Sequence, residues 1–147
     1  MKTQISIKKL DERAIIPHYG TEFSAGADLY ALLDEPVDIK PGESKLIHTG
    51  LALAIPEGMV GLVFGRSGLA CKRGLAPANK VGVIDSDYRG ELMVCLHNHG
   101  CESQIVDCGE RIAQIAFVPY YTADFELCDE LDETVRGQGG FGSTGTK

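Results

Sequence analysis

The apolar residues of this chain come in short runs of period two, each cut off by turn residues, and that spacing constrains the fold more than any other feature. Gln4–Lys8 alternates apolar and polar side chains. Leu46–Gly58 carries Leu51, Leu53 and Ile55 at intervals of two and closes on Pro56-Glu57-Gly58. Met59–Phe64, Glu91–Asn98 and Arg111–Tyr121 repeat the form, and Lys40-Pro41-Gly42 and Asn98-His99-Gly100 add further turn signals. Alternation of this kind lays one face of a strand on a core and leaves the other to water. No long segment repeats its apolar residues every 3.6 positions, so the stripe that an amphipathic helix needs is missing. One short helix is predicted at Ser67–Cys71. The pattern therefore predicts an all-β chain of short antiparallel strands, folded as a sandwich, jelly roll or barrel.

The length of 147 residues suits one domain with a real core. A hydrophobic share of 44% and a mean hydropathy of -0.03 argue against disorder and against a fibre. The longest uncharged apolar-leaning stretch is Thr49–Pro56, far short of the roughly 20 residues a spanning helix needs, so no membrane is expected. The opening segment, Met1–Arg13, has no apolar signal core, which predicts a cytoplasmic protein. The five cysteines are odd in number and none forms a CxxC pair, so free thiols are expected rather than disulfides or zinc. His97, His99 and Cys101 either supply metal ligands or form a polar strand end, and the second reading is the stronger. The net charge of -7 disfavours a nucleic-acid binder, which would carry a basic stripe. If the ligand is an anion, positive charge must be gathered locally or a metal recruited.

Several segments could do that. Gly65-Arg66-Ser67-Gly68 combines backbone amides, a hydroxyl and a guanidinium, the groups that hold phosphate oxygens, although a tight turn with an exposed arginine would read the same way. Asp85 follows the apolar run Val81–Ile84 and shares a strand face with Val83 if the strand continues, where a carboxylate could deprotonate water. Solvated acids in a hairpin turn are the alternative. Asp28 stands in an apolar setting and could meet a metal's water shell or orient an arginine. Gln114, inside the apolar run Ile112–Phe117, must find partners for its amide. Asn79 by itself is an ordinary turn residue. The tail from Arg136 to Lys147 is rich in glycine and also carries a guanidinium, an aromatic ring and hydroxyls, parts that suit closure over an anionic ligand with a ring. Its Gly140-x4-Gly145 imitates a P-loop, but Thr146-Lys147 reverses the required order and no helix can follow.

Taken together in order, five segments resemble the five motifs of the homotrimeric dUTPases. They are Ala25–Ala31, Gly65–Ala70, Gly82–Gly90, Gly109–Phe117 and Arg136–Gly145, and they span most of the chain. Gly65 stands where many family members have proline before Arg-Ser-Gly. The resemblance implies a β-jelly roll, residues 1–133, assembled as a homotrimer with shared active sites. It also implies a C-terminal arm, residues 134–147, that closes over a neighbour's site. The implied reaction is Mg2+-dependent hydrolysis of dUTP to dUMP and pyrophosphate, which keeps uracil out of DNA and supplies dUMP for thymidylate synthesis.

Carried over position by position, Asp85 resembles the general base that also meets the sugar 3′-OH. Tyr88 resembles the platform under the deoxyribose that rejects a ribose. Asn79 and the backbone at Met93 are similar to the uracil readers, and Val83 and Ile84 to the sugar-pocket lining. Arg66, Ser67, Gly68 and Gln114 resemble the phosphate contacts, and Asp28 the acid near the metal, acting through water on Mg2+ held mainly by the substrate. In the arm, Arg136 would reach the terminal phosphate and Phe141 would stack on uracil. Gly142, Ser143 and Thr144 would close around the phosphates. Two alternatives share this fold: a dCTP deaminase, for which Glu91 is the only obvious acid-base group, and a non-catalytic nucleotide-binding module.

Overall fold

The structure is a computed structural model that describes residues 3–140. Phe141, Gly142, Ser143 and Thr144 lie outside the described residues. Eleven strands and one helix make up the described elements. In chain order the strands are β1 (Ser6–Lys9), β2 (His18–Tyr19), β3 (Ala27–Tyr30), β4 (Val37–Ile39), β5 (Ser44–Ala54) and β6 (Met59–Phe64). The helix α1 (Ser67–Arg73) precedes β7 (Leu75–Pro77), β8 (Val81–Ile84), β9 (Glu91–Asn98), β10 (Gln104–Val106) and β11 (Arg111–Pro119).

All pairings are antiparallel. One sheet runs β1-β5-β9-β7, a second β2-β3-β11-β6-β8, and β10 pairs with β4 in a short ribbon. Neighbours in the sheets are mostly distant in sequence, which is the crossing connectivity of a jelly roll. The alternation of β9 sorts its side chains cleanly. Leu92, Val94, Leu96 and Asn98 are buried, while Glu91, Met93, Cys95 and His97 face the other way. The core joins Ile47 and Leu53 of β5, Val94 and Leu96 of β9, Leu29 of β3, and Ile112 and Ile115 of β11.

The buried Asn98 explains the polar strand end at His97–Gly100. Its amide donates to the carbonyls of Ile39 and Glu102, each at 2.8 Å, and its Oδ1 accepts from Gly100 N at 2.9 Å. Full satisfaction lets a polar side chain sit in the core at little cost. His97 turns to the Ser44 hydroxyl at 2.9 Å and His99 to the Lys80 amine at 3.0 Å. The five cysteines are unpaired.

Two details position the functional segments. Helix α1 runs two residues beyond the predicted Cys71 and stops at Gly74, whose φ of 66° only glycine adopts freely. Strand β8 lies at the open edge of its sheet, which leaves Val83 62% exposed. After Pro119 the described chain forms no further helix or strand, and Tyr121, Phe125, Leu127, Leu131 and Val135 are almost wholly exposed.

Candidate active site

Most of the described site residues expected from the sequence gather in two clefts that share no lining residue. The first, of about 400 Å3, is polar and is lined by Asp28, Arg66, Ser67, Gly68, Arg111 and Gln114, with the Gly20–Gly26 loop as its rim. Asp28 comes from β3 and Gln114 from β11, and the two are direct cross-strand partners. Arg66 and Ser67 sit where β6 gives way to α1, and β6 is the other neighbour of β11.

Asp28 is mostly buried and binds two arginines. Its Oδ1 accepts from Arg66 Nε at 2.7 Å and its Oδ2 from Arg111 Nη1 at 3.2 Å. Arg66 Nη1 also donates to the Arg111 carbonyl at 3.3 Å. Of the two roles open to Asp28 from sequence, the geometry fits the one that orients an arginine. One carboxylate between two guanidiniums holds both in place and still leaves net positive charge facing the cleft. Gln114 is fixed as well. Its Nε2 donates to the Gly65 carbonyl at 2.9 Å, and its amide lies so close over Gly26 that a Cβ there would stand 2.5 Å from Oε1.

Arg111 is a member of this cluster that the sequence reading passed over. A signal was present, since Arg111 shares a motif with Gln114. By strand parity, however, positions three apart face opposite ways. The register of β11 against β3 shifts between Arg111 and Ala113, a bulge that absorbs one residue and brings both side chains to the same cleft.

The second cleft, of about 240 Å3, is lined by Leu46, Val83, Ile84, Asp85, Tyr88, Glu91, Leu92 and Met93. Strand β8 ends at Ile84, so Asp85 begins the turn and its side chain is exposed at the cleft mouth. The turn closes with Tyr88 N donating to the Asp85 carbonyl at 3.2 Å. The Tyr88 ring stands across the cleft, and its hydroxyl donates to the Glu91 carbonyl at 2.9 Å.

The carboxylate of Glu91 is already engaged. Oε2 accepts from His48 Nδ1 and Oε1 from Gly50 N, both at 2.8 Å. Burial pushes its pKa up and is the largest single effect. The hydrogen bonds from His48 and Gly50, with the nearby His48 charge, outweigh it, so the pKa falls below the ordinary 4.5. A carboxylate held ionised and doubly bonded is poorly suited to the proton shuttling that cytosine deamination demands.

Two predicted site residues line neither cleft. Asn79 is exposed in the turn between β7 and β8, beside Gly82. The neighbouring Lys80 takes a positive φ of 65°, unusual for a side-chain-bearing residue. Arg136 closes a local turn, its Nε donating to the Gly139 carbonyl at 2.9 Å. Among the described residues, no three or more His, Cys, Asp or Glu side chains group as a metal cage. No helix among them is long and apolar enough to cross a membrane.

The dUTPase family model matches residues 12–145. A deoxyuridine 5'-triphosphate nucleotidohydrolase of Desulfitobacterium hafniense is 52% identical over 146 residues, covering 99% of this chain and 97% of that one. A variant of the Staphylococcus bacteriophage 80alpha dUTPase with dUpNHpp superposes with a TM-score of 0.85 at 29% identity, covering 98% of this chain and 99% of that one. A variant dUTPase from phage phi11 of S. aureus, whose structure reveals the coordination of a structural Mg(II) ion, matches with a TM-score of 0.80 at 25% identity, covering 89% of this chain and all of that one. With the family model and a relative 52% identical both spanning nearly all of it, the chain belongs to the dUTPase family.

Proposed function

We propose that this protein hydrolyses dUTP to dUMP and pyrophosphate. The observation that carries the reading is the split into a cationic cleft and an apolar one with a single ring and a free acid at its mouth. A nucleoside triphosphate has the same two halves. Its phosphates suit Arg66, Ser67, Gly68, Gln114 and Arg111, and its sugar and base suit Val83, Ile84, Tyr88 and the Met93 backbone.

Asp85 acts as general base. It takes a proton from a water whose oxygen bonds to the α-phosphorus, while the bond from that phosphorus to the bridging oxygen of the β-phosphate breaks. The leaving pyrophosphate carries the displaced electron pair, and the guanidiniums of Arg66 and Arg136 stabilise it. Tyr88 packs under the deoxyribose where a 2′-OH would not fit. Asn79 reads the uracil edge, reached when substrate and arm assemble the full site.

The donor set also suits Mg2+ that arrives on the substrate. This ion is ordinarily bound through one or two carboxylates with substrate phosphates and waters. Besides orienting Arg66 and Arg111, Asp28 would meet the ion's water shell through the oxygen lone pairs that those arginines leave free. When bound, the ion would neutralise phosphate charge.

The protein works as a homotrimer. The phosphate cleft of one subunit faces the sugar cleft of a second, and residues 134–147 close from another subunit over the jelly roll of residues 1–133. Two features support this. The clefts share no lining residue, and among the described residues the large apolar side chains after Pro119 are left almost wholly exposed. A trimer of shared sites would cover both.

The test is pyrophosphate release from dUTP, TTP, dCTP and UTP, with Mg2+ and then with a chelator. Rapid, metal-dependent release from dUTP alone is expected. Comparable release from several nucleotides would sink the assignments of Tyr88 and Asn79, and ammonia from dCTP would make the protein a deaminase. No release from any nucleotide would leave a non-catalytic module.

A further inference from the structure

The Tyr88 ring is held by an unusual seat. Gly90 has nothing in its conformation that demands glycine, since its φ is not positive. It is also exposed, so no core packing forbids a side chain. The constraint comes from Tyr88 alone. A Cβ on Gly90 would stand 2.4 Å from the Tyr88 hydroxyl oxygen, 2.6 Å from Cζ and 2.9 Å from Cε2. Those distances are well inside van der Waals contact, so the ring would have to swing away. Among the described residues, chain neighbours aside, the three atoms nearest to that position all belong to Tyr88.

The hydroxyl gives the ring a second anchor. It donates to the Glu91 carbonyl, and the Glu91 carboxylate is in turn clamped to His48 and Gly50 of β5. The ring is thereby tied to the stiff β5–β9 pair and not only to its own turn. The side chain is still 42% exposed, so packing alone does not fix it.

We propose that Gly90 is a specificity-determining positioning residue. By leaving room for the Tyr88 ring against the backbone, it sets where the ring stands and thus how strictly a ribose is refused. This rests on the reading of Tyr88 as the sugar platform. A hydrophobic pocket rejects an isostere that adds a hydroxyl by about a hundredfold, and that factor is what a displaced ring can lose.

The experiment measures kcat/KM for dUTP and for UTP in the full-length protein and in Gly90→Ala, Tyr88→Ala and the double variant. Gly90→Ala should lower the dUTP-to-UTP ratio by about ten- to hundredfold. Tyr88→Ala should lower it at least as far, and the double variant no further, because Gly90 acts only through the ring. If Gly90→Ala lowers both kcat/KM values together and keeps the ratio, Gly90 is merely structural and the inference falls. If Tyr88→Ala keeps the ratio, the platform reading itself is wrong. Should Gly90→Ala fail to fold, the double variant decides: with the ring gone it should fold as Tyr88→Ala does, and a double variant that still fails to fold would overturn the inference.

Discussion

At the residue scale, function here depends on side chains held still by small neighbours. Gly26 seats Gln114 much as Gly90 seats Tyr88, with the backbone making room for one functional group. Gly26→Ala should therefore fold normally, because the displaced atoms are the end of a side chain that can turn away. It should lose about ten- to hundredfold in kcat/KM for dUTP, the worth of a charge-assisted hydrogen bond. Steady-state kinetics beside a thermal melt would show whether activity falls while stability holds. Asp85→Asn tests the other kind of residue, one proposed to touch the reacting water. Turnover should drop roughly a hundred- to ten-thousandfold, while dUTP affinity measured by calorimetry stays near that of the parent. A variant still turning over at the parent rate would remove Asp85 as the base. Asp85 and Arg66 were legible in the sequence because each stands in a dense motif. The seats were not, since a glycine in a turn reads as a turn.

At the element scale, the two bulges explain what the alternating pattern could and could not give. Strands β6 and β9 have the predicted bounds because nothing interrupts their period of two. The short strands β2, β4 and β10 carry too few residues to show any period. In β11 the bulge before Ala113 breaks the parity that would have set Arg111 on the face opposite Gln114, so alternation alone hides their shared cleft. In β5 the register against β9 shifts between His48 and Ala52, and the gap is braced from both sides. Thr49 donates to the Leu92 carbonyl at 2.5 Å, while Glu91 accepts from His48 and Gly50. The brace should be pH-dependent. The Glu91 pKa is depressed in the folded protein, so its contribution is full above 4.5 and is lost as pH falls through the lower folded-state value. In denaturant titrations, Glu91→Gln should be less stable than the parent at neutral pH, and the gap should close in acid. A gap that persists there would mean that the carboxylate charge does not brace the bulge.

At the scale of the whole molecule, the division into two clefts makes a sharp prediction about mixing. Asp85→Asn chains have a sound phosphate cleft, and Arg66→Ala chains have a sound sugar cleft. Each should be inactive alone. If sites form between subunits, trimers reassembled from an equal mixture should regain about a quarter of the parent rate, the chance that both halves of a site are intact. No recovery would place the whole site in one chain. The all-β class was legible from spacing and turns, which left sandwich, jelly roll and barrel open until the resemblance singled out the jelly roll. The proposed trimer rests on the resemblance, because nothing in a linear pattern says which copy supplies which half.

The bare ribbon after Pro119 has a consequence for the life of the chain before assembly. In a copy outside the proposed trimer, five large apolar side chains after Pro119 stand in open water. That is the form proteases grip and the form that sticks to other proteins. A cut there would free the final motif and leave the jelly-roll body intact. If the protein works as the proposed trimer, surplus copies would be disarmed first and cleared later, while copies that have found company persist.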